Sequence, residues 1–163
     1  MLFHLSIDAD EPRHVAEVLA EIMGGEALPF PSVIEGSWVA LSGDARGTMI
    51  EVYPRGTELM IAKGDADAFG QINPAASRRS PVHFALATSL SFEDVFAIGA
   101  REGWTVKYRK RGGAFGVIEL WAEDCRMIEV LTEEMQTEYL DTITIDNWRR
   151  MLAAGGAEVP AAA

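Results

Sequence analysis

The sequence predicts an α+β protein made of two tandem modules, each running strand, helix, strand, strand, strand. Three observations predict it. The tetrapeptide Met-Ile-Glu-Val stands at Met49 to Val52 and again at Met127 to Val130. Upstream of each copy lies a short apolar run with one histidine, Phe3-His4-Leu5-Ser6-Ile7 and Val82-His83-Phe84-Ala85-Leu86. Each histidine is followed by a stretch of helical periodicity closed by a glycine, Gly24 or Gly103. Landmarks repeated at a near-constant offset mark a duplicated supersecondary unit.

The elements follow in order. After the His4 strand, Asp10 is the expected N-cap and Pro12 suits a first helical turn. Val15, Val18, Leu19, Ile22 and Met23 then recur at helical spacing until Gly24-Gly25 stops them. Extended runs are expected near 27–30, 37–41 and 48–53, with a turn at 43–47. Residues 55–80, rich in Pro and Gly and carrying Arg78-Arg79, read as a connector. In the second module Ser91-x-x-Asp94 forms a capping box, and Phe92, Val95, Phe96, Gly99 and Ala100 repeat the helical spacing. Strands are expected at 104–108, 114–121 and 126–131, and a further helix at 146–152. The small residues after it are expected to fray. The chain thus divides into a first module (1–54), a connector (55–80), a second module (81–134) and a C-terminal helix with a flexible tail (135–163), all in one domain.

Composition bounds the function. At 163 residues, 48% apolar and 24% charged, the chain can bury one sizeable core. A net charge of −11 repels phosphate backbones and anionic lipid headgroups, so neither nucleic acid nor membrane is an expected partner. The single cysteine, Cys125, cannot form an internal disulfide and fits a reducing compartment. Its expected state is a buried thiol in a strand or turn. No apolar stretch approaches the roughly 20 residues that span a bilayer, and the N-terminus turns acidic before any apolar signal region develops. A cytoplasmic location is expected. Phosphate-binding glycine loops and a serine-nucleophile elbow are both missing from the sequence.

The chemistry lies in the repeat. Strand side chains alternate faces, so Glu51 and Glu129 each stand on an otherwise apolar strand where an unpaired carboxylate is costly. A cation, dense hydrogen bonding or protonation must compensate. Each glutamate recurs with a histidine at the start of its module. Neutral imidazole and carboxylate together suit a divalent ion such as Zn, Ni, Mn or Fe. His4, Glu51, His83 and Glu129 would then supply four ligands to one ion acting on a substrate oxygen, with a displaced carboxylate as general base. His14 has no counterpart in the second module and reads as a surface residue. Lys107, Arg109, Lys110 and Arg111 read as a solvated hairpin end, with attraction of an anionic substrate tail as the alternative, and Trp38, Phe115 and Trp121 as mostly core.

Two such modules, each with a histidine in its first strand and a glutamate in its last, resemble the vicinal oxygen chelate superfamily. That superfamily includes glyoxalase I, extradiol dioxygenases and the bleomycin- and fosfomycin-resistance proteins. The resemblance covers residues 2 to about 134. It implies a U-shaped, partly closed mixed sheet around the metal, often completed by a homodimer. It also implies that His4, Glu51, His83 and Glu129 are the ligands. The His, Glu, His, Glu set is most similar to glyoxalase I, a metal-dependent lyase in which a glutamate abstracts a carbon-bound proton of a small-molecule substrate. By that likeness Glu129 and Glu51 are the catalytic carboxylates. Two departures stand out. The aromatic pair expected near the end of the first helix is replaced by Val18-Leu19, and the Asp-Pro-x-Gly turn before each last strand is missing. Two other readings remain. One is an Fe(II) dioxygenase using His4, His83 and Glu129, against which Glu51 argues as a crowding fourth ligand. The other is a metal-free small-molecule binding protein.

Overall fold

The structure, a computed structural model, describes residues 2–30 and 33–155. The first module runs β1 (His4–Ala9), α1 (Pro12–Met23), β2 (Glu26–Pro29), β3 (Trp38–Leu41) and β4 (Met49–Pro54). Its sheet has the order β1-β4-β3-β2, with β1 parallel to β4 and the other pairs antiparallel. A hairpin follows, β5 (Thr57–Met60) with β6 (Phe69–Ile72), inside what the sequence marks only as a connector. The second module repeats the first as β7 (Phe84–Ala87), α2 (Phe92–Glu102), β8 (Thr105–Arg111), β9 (Phe115–Ala122) and β10 (Arg126–Leu131), in the order β7-β10-β9-β8. Helices α3 (Glu133–Thr142) and α4 (Ile145–Ala154) close the described chain. The expected tail lies, from residue 156 on, outside the described residues. No helix among them is long and apolar enough to cross a membrane.

The α+β class and the tandem modules are as expected, but the sheet is not one closed surface. It is two four-stranded sheets whose first strands, β1 and β7, are both edges. The core lies between the sheets and their helices. Leu19, Ile22, Val52, Val95, Ile118, Leu120, Ile128 and Val130 are fully buried in one cluster that includes both modules. Burial of such side chains contributes roughly 1.5–3 kcal/mol each before entropy is counted, so the two modules fold around common apolar contacts.

Helix boundaries show both success and correction. The capping box at Ser91 and Asp94 is present. Asp10 is not the N-cap of α1: Glu11 takes that position, without a side-chain cap bond, and Pro12 opens the helix. The backbone N–H groups of Asp10 and Glu11 instead donate to the carboxylate of Glu123, at 2.8 Å each, from the β9–β10 turn of the other module. Asp10 is drawn away to Arg55 and Arg78. At the other end Gly24 adopts a left-handed conformation with φ +70°, and the Gly25 N–H reaches Ala20 O at 2.8 Å.

The modules meet at an ionic cluster. Arg55, just past β4, donates to Asp10, to the carbonyl of Asp8 and to Glu123. Arg126, at the start of β10, pairs with Asp8. Burial pushes the Asp8 carboxyl up, but the Gly56 N–H and the guanidiniums of Arg55 and Arg126 together hold it below its ordinary value. A lowered folded pKa gives stability that is present above the unfolded value and lost as pH falls through the folded one. Asp8→Asn is therefore expected to cost about 3 kcal/mol at neutral pH. In chemical denaturation the gap from the parent protein closes as pH falls below 3.8, the ordinary value.

A second expectation concerns close approach. A Cβ on Gly25 would stand 1.8 Å from the carbonyl oxygen of Leu41, a backbone atom that cannot swing aside. Gly25→Ala should lower stability by about 2–4 kcal/mol, read as a lower urea midpoint at unchanged slope.

Candidate metal-binding half-sites

In the first module strand alternation puts His4, Ser6 and Asp8 on one face of β1 and Met49, Glu51 and Tyr53 on the same face of β4. Parallel register sets Ser6 opposite Glu51 and His4 opposite Met49. Two residues of strand rise and one interstrand spacing put the Cα atoms of His4 and Glu51 about 8 Å apart. Glu51 is buried, with 7% of its surface exposed. Its Oε2 accepts from Ser6 Oγ at 2.7 Å and from the Tyr53 hydroxyl at 2.6 Å. No bond to its Oε1 is formed among the described residues. His4 is exposed and lines a cavity of about 460 Å³ with Met49, Asp44, Arg46, Phe84 and Leu86.

The second module repeats the arrangement and neutralises it differently. Ala85 stands opposite Glu129, and His83 precedes β7 at the place that His4 takes in the first module. The His83 Nδ1 lies 2.9 Å from the Pro81 carbonyl. A carbonyl only accepts, so Nδ1 is the donor in this contact, which leaves Nε2 as the ring nitrogen turned to a metal whenever the imidazole is neutral. Glu129 is engaged by Arg111, whose Nε donates to Oε1 at 3.0 Å and whose Nη2 donates to the same oxygen. Glu119 lies directly opposite Glu129 on β9 and takes the same Nη2 at 2.9 Å. One guanidinium thus serves two carboxylates. Helices α3 and α4 close an apolar cavity of about 600 Å³ above them, walled by Phe115, Tyr139, Ile143 and Trp148.

His4 therefore shares a sheet face with Glu51, while His83 stands just ahead of the strand that pairs with the Glu129 strand. The structure does not gather all four within the chain: among the described residues no three His, Cys, Asp or Glu side chains meet as a metal-holding group. His14 is a half-exposed residue whose Nε2 lies 2.5 Å from Glu102 and whose ring meets Trp104 edge-on at 6.3 Å. Cys125 is partly buried in the β9–β10 turn, 3.2 Å from Arg55 Nη2. Trp38, Phe115 and Trp121 are half-buried at the margin of the core.

The expected solvated hairpin end holds for Lys107, Arg109 and Lys110, which are exposed on β8 ahead of the turn to β9, Lys110 pairing with Glu138 at 2.8 Å. Arg111 departs from it, half-buried and bound to Glu129 and Glu119. Ser6, Tyr53 and Arg111 are the site residues that sequence reasoning passes over. Parity could have found the first two, since Ser6 lies two residues from His4 and Tyr53 two from Glu51. Arg111 gives no comparable signal within a run of four basic residues.

No protein-family model and no curated protein matches this sequence. Solved structures do resemble it. The fosfomycin resistance protein FosX from Listeria monocytogenes superposes with a TM-score of 0.55 at 16% identity, covering 86% of this chain and 96% of that one. FosX from Mesorhizobium loti gives 0.51 at 15% identity, covering 84% and 95%. Glyoxalase I from Leishmania major gives 0.47 at 13%, covering 96% and 97%. At such identities the two FosX superpositions show a likeness of fold.

Burial raises the Tyr53 phenol first, and its bond to Glu51 and the charge of that carboxylate raise it further, to about 12. In absorbance titration at 295 nm one of the three tyrosines should ionise only near pH 12. Glu51→Gln removes two of the three causes, so that step should move to lower pH.

Proposed function

We propose that this chain, which has the vicinal oxygen chelate fold, is a glyoxalase-like metal-dependent enzyme whose site forms between two copies. His4 and Glu51 would come from one copy, His83 and Glu129 from the other. The observation that carries this reading is the matched pair of half-sites. Each module sets one imidazole two residues from the position opposite its glutamate, His4 within β1 and His83 just before β7, beside the strand that ends its sheet.

The donor set fits a divalent ion, since two neutral imidazoles and two carboxylates balance its charge. Among the described residues Arg111 is the cation paired with Glu129, and Glu119 gives it a second partner when Glu129 is engaged elsewhere. A bound Zn, Ni, Mn or Fe ion would supply Lewis acidity toward two oxygens of a small substrate. The protein's own groups do the rest. Ser6 and Tyr53 fix the rotamer of Glu51. When Glu129 is off the ion, Arg111 holds it by Oε1, which leaves Oε2 to take a carbon-bound proton. Helices α3 and α4 cover that face with apolar side chains and limit the access of water.

A second reading has its own observation. Arg111 already provides a cation at Glu129 beneath an apolar cavity, as a metal-free small-molecule binding protein would require.

Elemental analysis of protein purified without chelators separates the two. The enzyme reading expects bound divalent metal, lost by at least about tenfold in affinity in His4→Ala and in His83→Ala. Arg111→Gln should tighten metal binding about tenfold by removing a neighbouring positive charge. Mixing the His4→Ala and His83→Ala proteins tests the shared site, because a mixed dimer keeps one site with all four ligands. Recovery of about half the parent occupancy is expected in the mixed species. Full occupancy in both single variants would overturn the reading.

A further inference from the structure

We infer that the cavity between β1, the turn after β4 and residues 76–82 is an oxyanion-binding subsite that takes the carboxylate or phosphate of a small substrate, with Arg126, Ser77 and Ser80 as its donors. The inference rests on the preceding reading only in calling the anion a substrate group. The cavity measures about 310 Å³ and its wall includes Arg126. Only 5% of Arg126 is exposed, and a single one of its nitrogens, Nη2, is paired, with Asp8. Nε and Nη1 are buried and have no acceptor among the described residues. An orphaned N–H on a buried guanidinium is costly, and an anion in the adjoining cavity is the partner that this charge and shape recognise.

The hydroxyl groups around the cavity sort by what they already do. Ser6 and Tyr53 spend their protons on Glu51, and Thr57 spends its own on the Pro54 carbonyl. Ser77 Oγ accepts from the Arg79 N–H at 3.1 Å, and Ser80 Oγ accepts from the Val82 N–H at 3.0 Å. Both serines therefore keep a hydroxyl proton to donate. Of the neighbouring carboxylates, Asp8 in the cavity wall, Asp10 and Glu123 are matched by Arg55, Arg78 and Arg126, while Glu51, held behind Ser6 and Tyr53, keeps its charge and keeps the anion to the Arg126 end of the cavity. Position gives the subsite its use. Its walls include Ser6 and Tyr53, the two residues that grip Glu51. A molecule anchored by its anionic end at Arg126 therefore lays its other end along the first half-site.

The test uses chelator-treated full-length protein, with inorganic phosphate and sodium acetate as probes and sodium chloride at matched ionic strength as control. Phosphate or acetate is expected to raise the melting temperature in a saturable way beyond chloride, as ligand linkage requires. The stronger of the two identifies the oxyanion class. Arg126→Gln should abolish the shift. Because that change also unpairs Asp8, the Ser77→Ala/Ser80→Ala double variant provides a second measure, with an expected loss of about tenfold in affinity. Two results would overturn the subsite: no shift beyond chloride in the parent protein, or an undiminished shift in the double-serine variant. His4→Ala should bind the probe normally. Intact anion binding without metal uptake in the parent protein would thus count against the metal reading alone, and metal uptake without anion binding against the subsite alone.

Discussion

The contact on which the rest depends is made by Arg55. From one position after β4 it reaches the first strand at Asp8, the entry to α1 at Asp10 and the β9–β10 turn of the second module at Glu123. Only 15% of its side chain is exposed. Charges that deeply placed lose hydration, and a buried pair often gains little net stability over apolar packing. Such a group does impose geometry, because a guanidinium tolerates few arrangements of three carboxylates. Apolar burial holds the two modules together, and the arginine cluster fixes their angle. The same cluster aligns Arg126 beside β1, so the relation of the second half of the chain to the Glu51 face follows from it.

The β9–β10 turn shows what this fixed angle requires. Glu123 and Asp124 both adopt positive φ, 50° and 53°, which residues with a Cβ rarely take. Each is compensated by what its carboxylate does. Glu123 satisfies two N–H groups at the start of α1 and pairs with Arg55, while Asp124 accepts the Thr105 N–H at 2.9 Å. A glycine at position 123 would relax the turn and leave the entry to α1 without its cap. The acidic side chain there belongs to the junction between the modules rather than to the turn alone.

Much of this was legible in the sequence. The repeated tetrapeptide and histidine runs mark both modules, and the glycines that stop the helices mark their lengths, because these are local signals with fixed spacing. The hairpin β5–β6 is hidden by its composition: Gly64, Gly70 and Pro74 read as loop, while the pairing that makes it a hairpin depends on Gly70 fitting closely against Val33 and Ile34. Asp10 reads as an N-cap because local sequence cannot reveal a carboxylate supplied from residue 123. The position of His4 and Glu51 on a shared face follows from period two. Whether four such groups meet does not, since it depends on how two sheets are set against each other.

Duplication also explains why the two half-sites differ. Each copy inherits a glutamate on a sheet face, and each must neutralise it. In the first module two hydroxyl groups do so without bringing a charge, which leaves Glu51 an anion close to the protein interior. In the second, Arg111 answers both Glu129 and Glu119, and the cluster of one guanidinium and two carboxylates keeps one negative charge in excess. Both faces thus remain electrostatically incomplete in the same sense, one beside an open strand edge and the other beneath an apolar roof. A protein with eleven more acidic than basic side chains could have covered these carboxylates with lysine or arginine from either terminus. Three of its arginines, Arg55, Arg78 and Arg126, instead serve the junction, and only Arg111 answers a glutamate face, so both faces keep the negative charge that the proposed ion would meet.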